Sequence, residues 1–220
     1  MNSKIGKKAP NLKVSEWIQG KPTNIDKEKD NVILIEVFQV NCPGCFIYGI
    51  PESIRLHNLF GMDNFKVIGL ATAFEDYDKN NLDNLKKLVD NGEVIGETQR
   101  VLSQYGKLRD LNKLTYRIPF PVAMDYLERV DTNMTENKVM DFIEANVENF
   151  RSYVQTERDR IIKNVKDYLR TKMYTAKTFE EYGLSGTPSS ILIDTKGLVQ
   201  DIGFGSTKSL DILIEQLLKG

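Results

Sequence analysis

The sequence has only two cysteines, one histidine and one tryptophan in 220 residues. So few cysteines exclude a disulfide scaffold, and a lone pair in a reducing setting points to catalysis, redox sensing or metal binding. With His57 as the single histidine, a four-ligand zinc site would consume both cysteines, that histidine and a carboxylate. No metal and no bound cofactor are therefore expected. Charge of one sign is lacking too: 30 basic against 31 acidic residues leave a formal net charge of −1. No whole-chain field directs the protein to nucleic acid or to an anionic membrane. No apolar run approaches the roughly 20 residues that span a bilayer. The stretch MNSKIGKKAPNLKV is charged without an apolar h-region, so no signal peptide and a cytoplasmic location are expected.

What is present alternates between two periods. NVILIEVF (31–38) is a β-branched apolar run of the kind that forms a central strand covered on both faces, with one carboxylate, Glu36, inside it. FKVIGLATAF (65–74) reads as a second buried strand and PFPVAMD (119–125) as a short one. SSILID (189–194), the turn TKG and LVQDIGF (198–204) read as an antiparallel hairpin. Helical spacing appears in Ile47, Ile50, Ile54 and Phe60, where Gly49 and Pro51 should bend the helix early. It recurs in Leu82, Leu85, Leu88 and Val89 with Gly92 as a stop, and in Leu210, Leu213, Ile214, Leu217 and Leu218 at the end. Residues 10–30 suggest a short N-terminal hairpin around QGKP, and 93–116 show no clear period. Trp17 and the aromatics of YRIPF read as core, and His57 as a helix-face residue about three turns past Cys45. Strands alternating with helices predict an α/β domain.

One block breaks the alternation. From about 134 to 174 there is no glycine or proline, and Met140, Val147, Val154, Ile161 and Tyr168 repeat every seven residues. This predicts a long helix or a helical hairpin, with TERD (156–159) a candidate cap for a second helix. The expected organisation is one domain over 1–220 with this block as an insertion, and the block is a candidate homodimer or cap element.

The two cysteines, Cys42 and Cys45, leave a buried strand and open a helix. There Cys42 would meet unpaired N–H groups and the helix dipole, which favour its thiolate, and Pro43 suits the first helical position. Cys45, one turn in, is placed to close a small disulfide ring. In this reading Cys42 attacks a disulfide and Cys45 resolves the mixed disulfide. The competing readings of the pair are two inert buried thiols and a metal half-site completed by dimerisation.

VILIEVFQVNCPGC, followed far downstream by GTPSSILIDTKG, resembles the thioredoxin-fold redoxins, in particular their TlpA-like and AhpC/TSA-type branch. The resemblance runs over 5–125 and 176–220. It implies a central mixed sheet flanked by helices, with the insertion lying before a strand that starts at a cis proline. It also implies a redox-active disulfide, a cis Thr187–Pro188 peptide facing the cysteines, and a Thr187 backbone that pairs with an extended substrate. Pro43 and Gly44, between the cysteines, join Thr187 and Pro188 as the implied substrate-binding residues. Glu36, six residues before Cys42, takes the place of the buried acid that thioredoxins carry beneath the dithiol. With apolar neighbours it should have a raised pKa and exchange a proton with Cys45. Two departures stand out: Asn41 replaces the tryptophan that usually precedes the first cysteine, and Pro43–Gly44 reverses thioredoxin's Gly–Pro.

The activity so implied is that of a thiol–disulfide oxidoreductase, a disulfide reductase with antioxidant capacity. It would act on protein or small-molecule disulfides and be recycled by a reductant. A thiol peroxidase ranks lower. Its signature needs Pro and Thr or Ser seven and three residues before the reactive cysteine, where Cys45 has Phe38 and Cys42, and Cys42 has Ile35 and Gln39. A third reading is a redox-sensing protein that binds a partner through the helical block.

Overall fold

A computed structural model describes residues 4–130, 135–205 and 210–219. The chain divides into two compact units, Met1–Leu127 with Ala176–Gly220, and Glu128–Thr175.

The first unit is built on one six-stranded sheet. In chain order its elements begin with β1 (Val14–Gln19), a 3₁₀ turn at Ile25–Lys27, and β2 (Val32–Phe38). A π-helical turn over Cys45–Gly49 then leads into α1 (Ile50–Phe60), followed by β3 (Phe65–Ala71), α2 (Leu82–Asn91) and α3 (Gly96–Gln104). A two-residue ladder joins β4 (Leu108–Arg109) to β5 (Lys113–Leu114) before β6 (Val122–Asp125). After the second unit, whose own elements are given below, come α6 (Lys177–Glu181), β9 (Ser189–Ile193), β10 (Val199–Phe204) and α7 (Asp211–Lys219). The strand order is β1-β6-β3-β2-β9-β10. The pairs β2–β3 and β3–β6 are parallel, whereas β1–β6, β2–β9 and β9–β10 are antiparallel. The sheet is therefore mixed, and β2 lies inside it.

Every residue of β2 is buried, as its unbroken apolar run requires. Val32, Leu34 and Phe38 point to the face covered by α1, α2, α3 and α7, where Phe46, Leu56, Leu85, Leu102 and Ile214 complete the core. Ile33, Ile35 and Val37 point to the other face, with Leu12, Ile25, Phe179 and Tyr182. Burying each such side chain contributes roughly 1.5–3 kcal/mol. The alternation of a strand puts Glu36 with Leu34 and Phe38, under α1.

The expected N-terminal hairpin is not formed. β1 pairs instead with β6, more than a hundred residues downstream, with register shifts at two places. The segment that would have returned carries Pro22, which cannot donate to a ladder. Asn24 then satisfies the backbone with its side chain, accepting from Leu12 N–H at 2.8 Å and donating to Leu12 C=O at 3.0 Å. The region without a clear period contains α3 and the β4–β5 ladder.

Asp125 anchors the chain where it rejoins the sheet. Its buried carboxylate accepts from Thr178 N–H at 2.9 Å, Phe179 N–H at 3.1 Å and Thr72 Oγ1 at 3.0 Å. It thus caps the first turn of α6 from the end of β6.

The strands β7 (Leu127–Arg129) and β8 (Tyr174–Ala176), all but Leu127 and Ala176 in the second unit, pair with each other, and Val130 N–H donates to Met173 C=O at 3.0 Å. Between them α4 (Glu136–Asn146) and α5 (Gln155–Thr171) form the helical hairpin, and the expected starting residue 134 lies outside the described residues. Val139, Ile143 and Phe150 form its core against Ile161, Ile162, Val165 and Leu169. Thr156 is not the cap expected of TERD: α5 begins one residue earlier, behind Val154. The seven-residue stripe is not a continuous seam either, because the turn between the helices leaves Val154 63% exposed.

Candidate active site

The strand–turn–helix β2–Cys42–α1 sets the site. Pro43 and Gly44 are the first helical residues, so Cys42 directly precedes the helix. Its sulfur accepts from the Cys45 N–H at 3.3 Å, as a thiolate at a helix start does. Cys42 is half-buried, Cys45 has no exposed surface, and both are free thiols. A hydrogen bond from Cys45, supported by contacts to Thr187 and the Cys45 and Gly44 backbone and opposed by burial, lowers the Cys42 pKa to about 7. Burial, and then the hydrogen bond and charge of Cys42, push the Cys45 thiol far up. One thiol is therefore ready to ionise at neutral pH and the other is held protonated.

The Thr187–Pro188 peptide is cis. It brings the Thr187 carbonyl to 3.5 Å from the Cys42 sulfur. A Cβ added to Gly44 would lie 3.5 Å from the Pro188 ring, so Pro188 stands over the residues between the cysteines.

Glu36 lies behind this surface, 3% exposed. Its Oε2 accepts from Ser53 Oγ at 3.0 Å, while its Oε1 is buried without a hydrogen-bond partner. Burial raises its pKa to about 8; Ser53 opposes the shift, and the charges of Cys42 and Glu52 add to it. Glycine is required at position 49: a Cβ there would run into Glu36 Oε1 and come to 2.7 Å from Pro188 Cβ. Gly49, Glu36, Ser53, Pro188 and Ser190 line a cleft of about 680 Å³. Ser190, the cross-strand partner of Glu36, also has a buried hydroxyl without a partner. Two unpaired oxygens facing such a cleft give water the polar contacts it needs to reach the acid.

The bend expected at Gly49 and Pro51 takes the form of the π-turn, in which Ile50 N–H donates to Cys45 C=O. The Pro51 ring would collide with the Ile47 carbonyl in a continuous α-helix, and widening the turn relieves that clash.

Asn41 replaces bulk with hydrogen bonds. Its side chain donates to Asp76 Oδ2 at 2.7 Å and accepts from Glu97 N–H at 2.7 Å, and its backbone N–H donates to Asn80 Oδ1 at 2.8 Å. Gly96, at φ +55°, leaves space for that side chain, which a Cβ there would strike. The loop before Cys42 is thereby tied to α3 and to the loop before α2.

The structure brings Glu36, Cys42, Pro43, Gly44, Cys45, Thr187 and Pro188 together. His57 packs edge-on against Phe120, at 5.9 Å between ring centroids, as a helix-face residue. Ser53 belongs to the site and was not singled out by sequence; Asn41 read only as the replacement for a tryptophan, and Tyr116 only as core. Ser53 had a signal: it falls on the buried stripe of α1 with Ile50, Leu56 and Phe60, where a hydroxyl needs a partner.

No protein-family model and no curated protein matches the chain. Among solved structures it is similar to a thioredoxin-like superfamily protein, at 24% identity and TM-score 0.60, over 97% of this chain and 97% of that one. It is similar to a thiol-disulfide isomerase from Corynebacterium glutamicum, at 24% identity and TM-score 0.57, over 96% and 97%. An uncharacterized conserved protein from Geobacillus kaustophilus matches at 15% identity and TM-score 0.52, over 100% and 84%. These matches run beyond the segments that carry the sequence resemblance. With the sheet order and the cis proline over a Cys-x-x-Cys helix start, they make this chain a member of the thioredoxin-like fold.

Proposed function

We propose that the protein is a thiol–disulfide oxidoreductase working as a disulfide reductase in a reducing, cytoplasmic setting. The observation that carries this reading is the asymmetry of the two thiols: Cys42 is accessible with a pKa near 7, and Cys45 is sealed one turn behind it. The name of one structural neighbour, a thiol-disulfide isomerase, belongs to the same exchange chemistry.

The Cys42 thiolate attacks one sulfur of a substrate disulfide; the S–S bond breaks and the other half leaves as a thiolate that takes a proton from water. An extended substrate pairs with the Thr187 backbone, while Pro43, Gly44 and Pro188 form the surface it crosses. Once Cys42 is in the mixed disulfide its charge is gone, and one of the causes that raises the Glu36 pKa goes with it. Glu36 then releases its proton to water in the cleft and, as the carboxylate, accepts the Cys45 proton through that water. The Cys45 thiolate attacks Cys42 Sγ, leaves the Cys42–Cys45 disulfide and expels the second substrate sulfur as a thiolate that takes a proton from water. Two electrons have passed to the substrate, and an external dithiol reductant restores the enzyme.

The test is turnover with an aromatic disulfide and with a protein disulfide, against hydrogen peroxide, under one dithiol reductant. Reduction of the disulfides that is lost in Cys42→Ser is expected. Peroxide consumption without disulfide reduction would replace this reading with the peroxidase one.

A further inference from the structure

The π-turn that carries Cys45 has a gap in its own hydrogen bonding. In a continuous α-helix the Phe46 carbonyl would take the N–H of Ile50, but that N–H donates to Cys45 C=O. The wider turn offers Phe46 the N–H of the next residue instead, and that residue is Pro51, which has none. Phe46 is 1% exposed, so water has little access to its carbonyl. A buried carbonyl without a partner is costly. The missing donor comes from outside the helix: Tyr116, on the segment between β5 and β6, donates its hydroxyl to Phe46 C=O at 3.1 Å.

We infer that Tyr116 is a positioning residue for Cys45, supplying the donor that Pro51 removes and so holding the π-turn in the shape that aims the resolving thiol at Cys42. The attack by Cys42 depends on this bond less than resolution does, because Cys42 precedes the turn and meets it only through the Cys45 N–H and thiol. The inference rests on the dithiol reading above, and it separates the two halves of the reaction.

Tyr116→Phe keeps the ring and removes only the donor. In the full chain, single-turnover mixing with an aromatic disulfide should show mixed-disulfide formation slowed by no more than about twofold. Resolution by Cys45 should be about tenfold slower, the scale of one lost buried hydrogen bond. Amide exchange at Ile50 should rise in the variant, whether or not any disulfide is turned over. A role as a simple strap for its loop would lower thermal stability and leave the ratio of attack to resolution unchanged. Unchanged resolution in Tyr116→Phe overturns the inference, as does unchanged Ile50 exchange. If the wild type exchanges with no disulfide, the dithiol reading fails instead, and the amide exchange still decides whether Tyr116 holds the turn.

Discussion

Glu36→Gln is the perturbation with the most definite energetic consequence. The acid has a pKa of about 8 in the folded chain against an ordinary value of 4.5. Folding therefore retains a proton that the unfolded chain releases, and stability must fall as pH rises between those two values. Each pKa unit is worth ~1.36 kcal/mol, so keeping Glu36 neutral costs about 3 kcal/mol at pH 7. Glutamine has nearly the same shape, still accepts from Ser53 Oγ and does not titrate. Urea unfolding of wild type and Glu36→Gln under reducing conditions should give similar stabilities near pH 4.5. The variant should gain about 1.4 kcal/mol per pH unit above that, approach a 3 kcal/mol advantage at pH 7, and hold a constant advantage above pH 8. Cys42 titrates in both proteins, so its own contribution largely cancels. Glu36→Leu should also stabilise, but by ~1–2 kcal/mol less, because the Ser53 hydroxyl loses its acceptor. A stability difference that is flat from pH 5 to 8.5 would refute a neutral, buried Glu36. Exchange rates should drop in both variants; unaltered rates would remove the acid from the proton path.

Cys45→Ser should accumulate a mixed disulfide through Cys42, visible as a mass increment, while Cys42→Ser should trap nothing. Gly49→Ala should destabilise by ~1–3 kcal/mol in urea unfolding and slow exchange, since its methyl displaces Glu36 or Pro188; a neutral effect would show that the contact relaxes freely. Asp125→Ala strips three donors of their acceptor and should cost ~2–4 kcal/mol in urea unfolding. Joining β7 to β8 by a short linker in place of residues 131–172 should leave a folded protein that still reduces a small disulfide. Loss of that activity in a folded variant would make the helical unit part of the catalytic machinery.

The elements that sequence made legible are those set by local periodicity. The apolar run of β2, the stripes of α1, α2 and α7, the β9–β10 hairpin and the Cys-x-x-Cys at a strand–helix junction all follow from neighbours within a few residues. Glu36 was visible as the one carboxylate in an apolar strand. Partner choice over long separations was not visible. β1 finds β6, and Asp125 finds the first turn of α6, because tertiary packing brings these segments together; no pattern within either announces the other. The bend at Gly49 and Pro51 was legible, but its form was not. A π-turn is decided by which backbone donors remain, and the donor that completes it, Tyr116, lies 70 residues away. Asn41 read as a missing tryptophan, whereas its role is to tie three segments by hydrogen bonds. The TERD cap failed because a capping signature describes one turn, and the helix starts one residue earlier, behind Val154, without a side-chain cap.

The most direct test of the central claim is the pH dependence of iodoacetamide alkylation at each thiol of the reduced protein, followed by peptide mass spectrometry. Cys42 should react with a midpoint near pH 7, and Cys45 should stay unmodified through pH 8.5 in the folded chain. Equal rates at the two cysteines, or a Cys42 midpoint at the ordinary thiol value, would contradict a division of labour between an attacking and a resolving thiol.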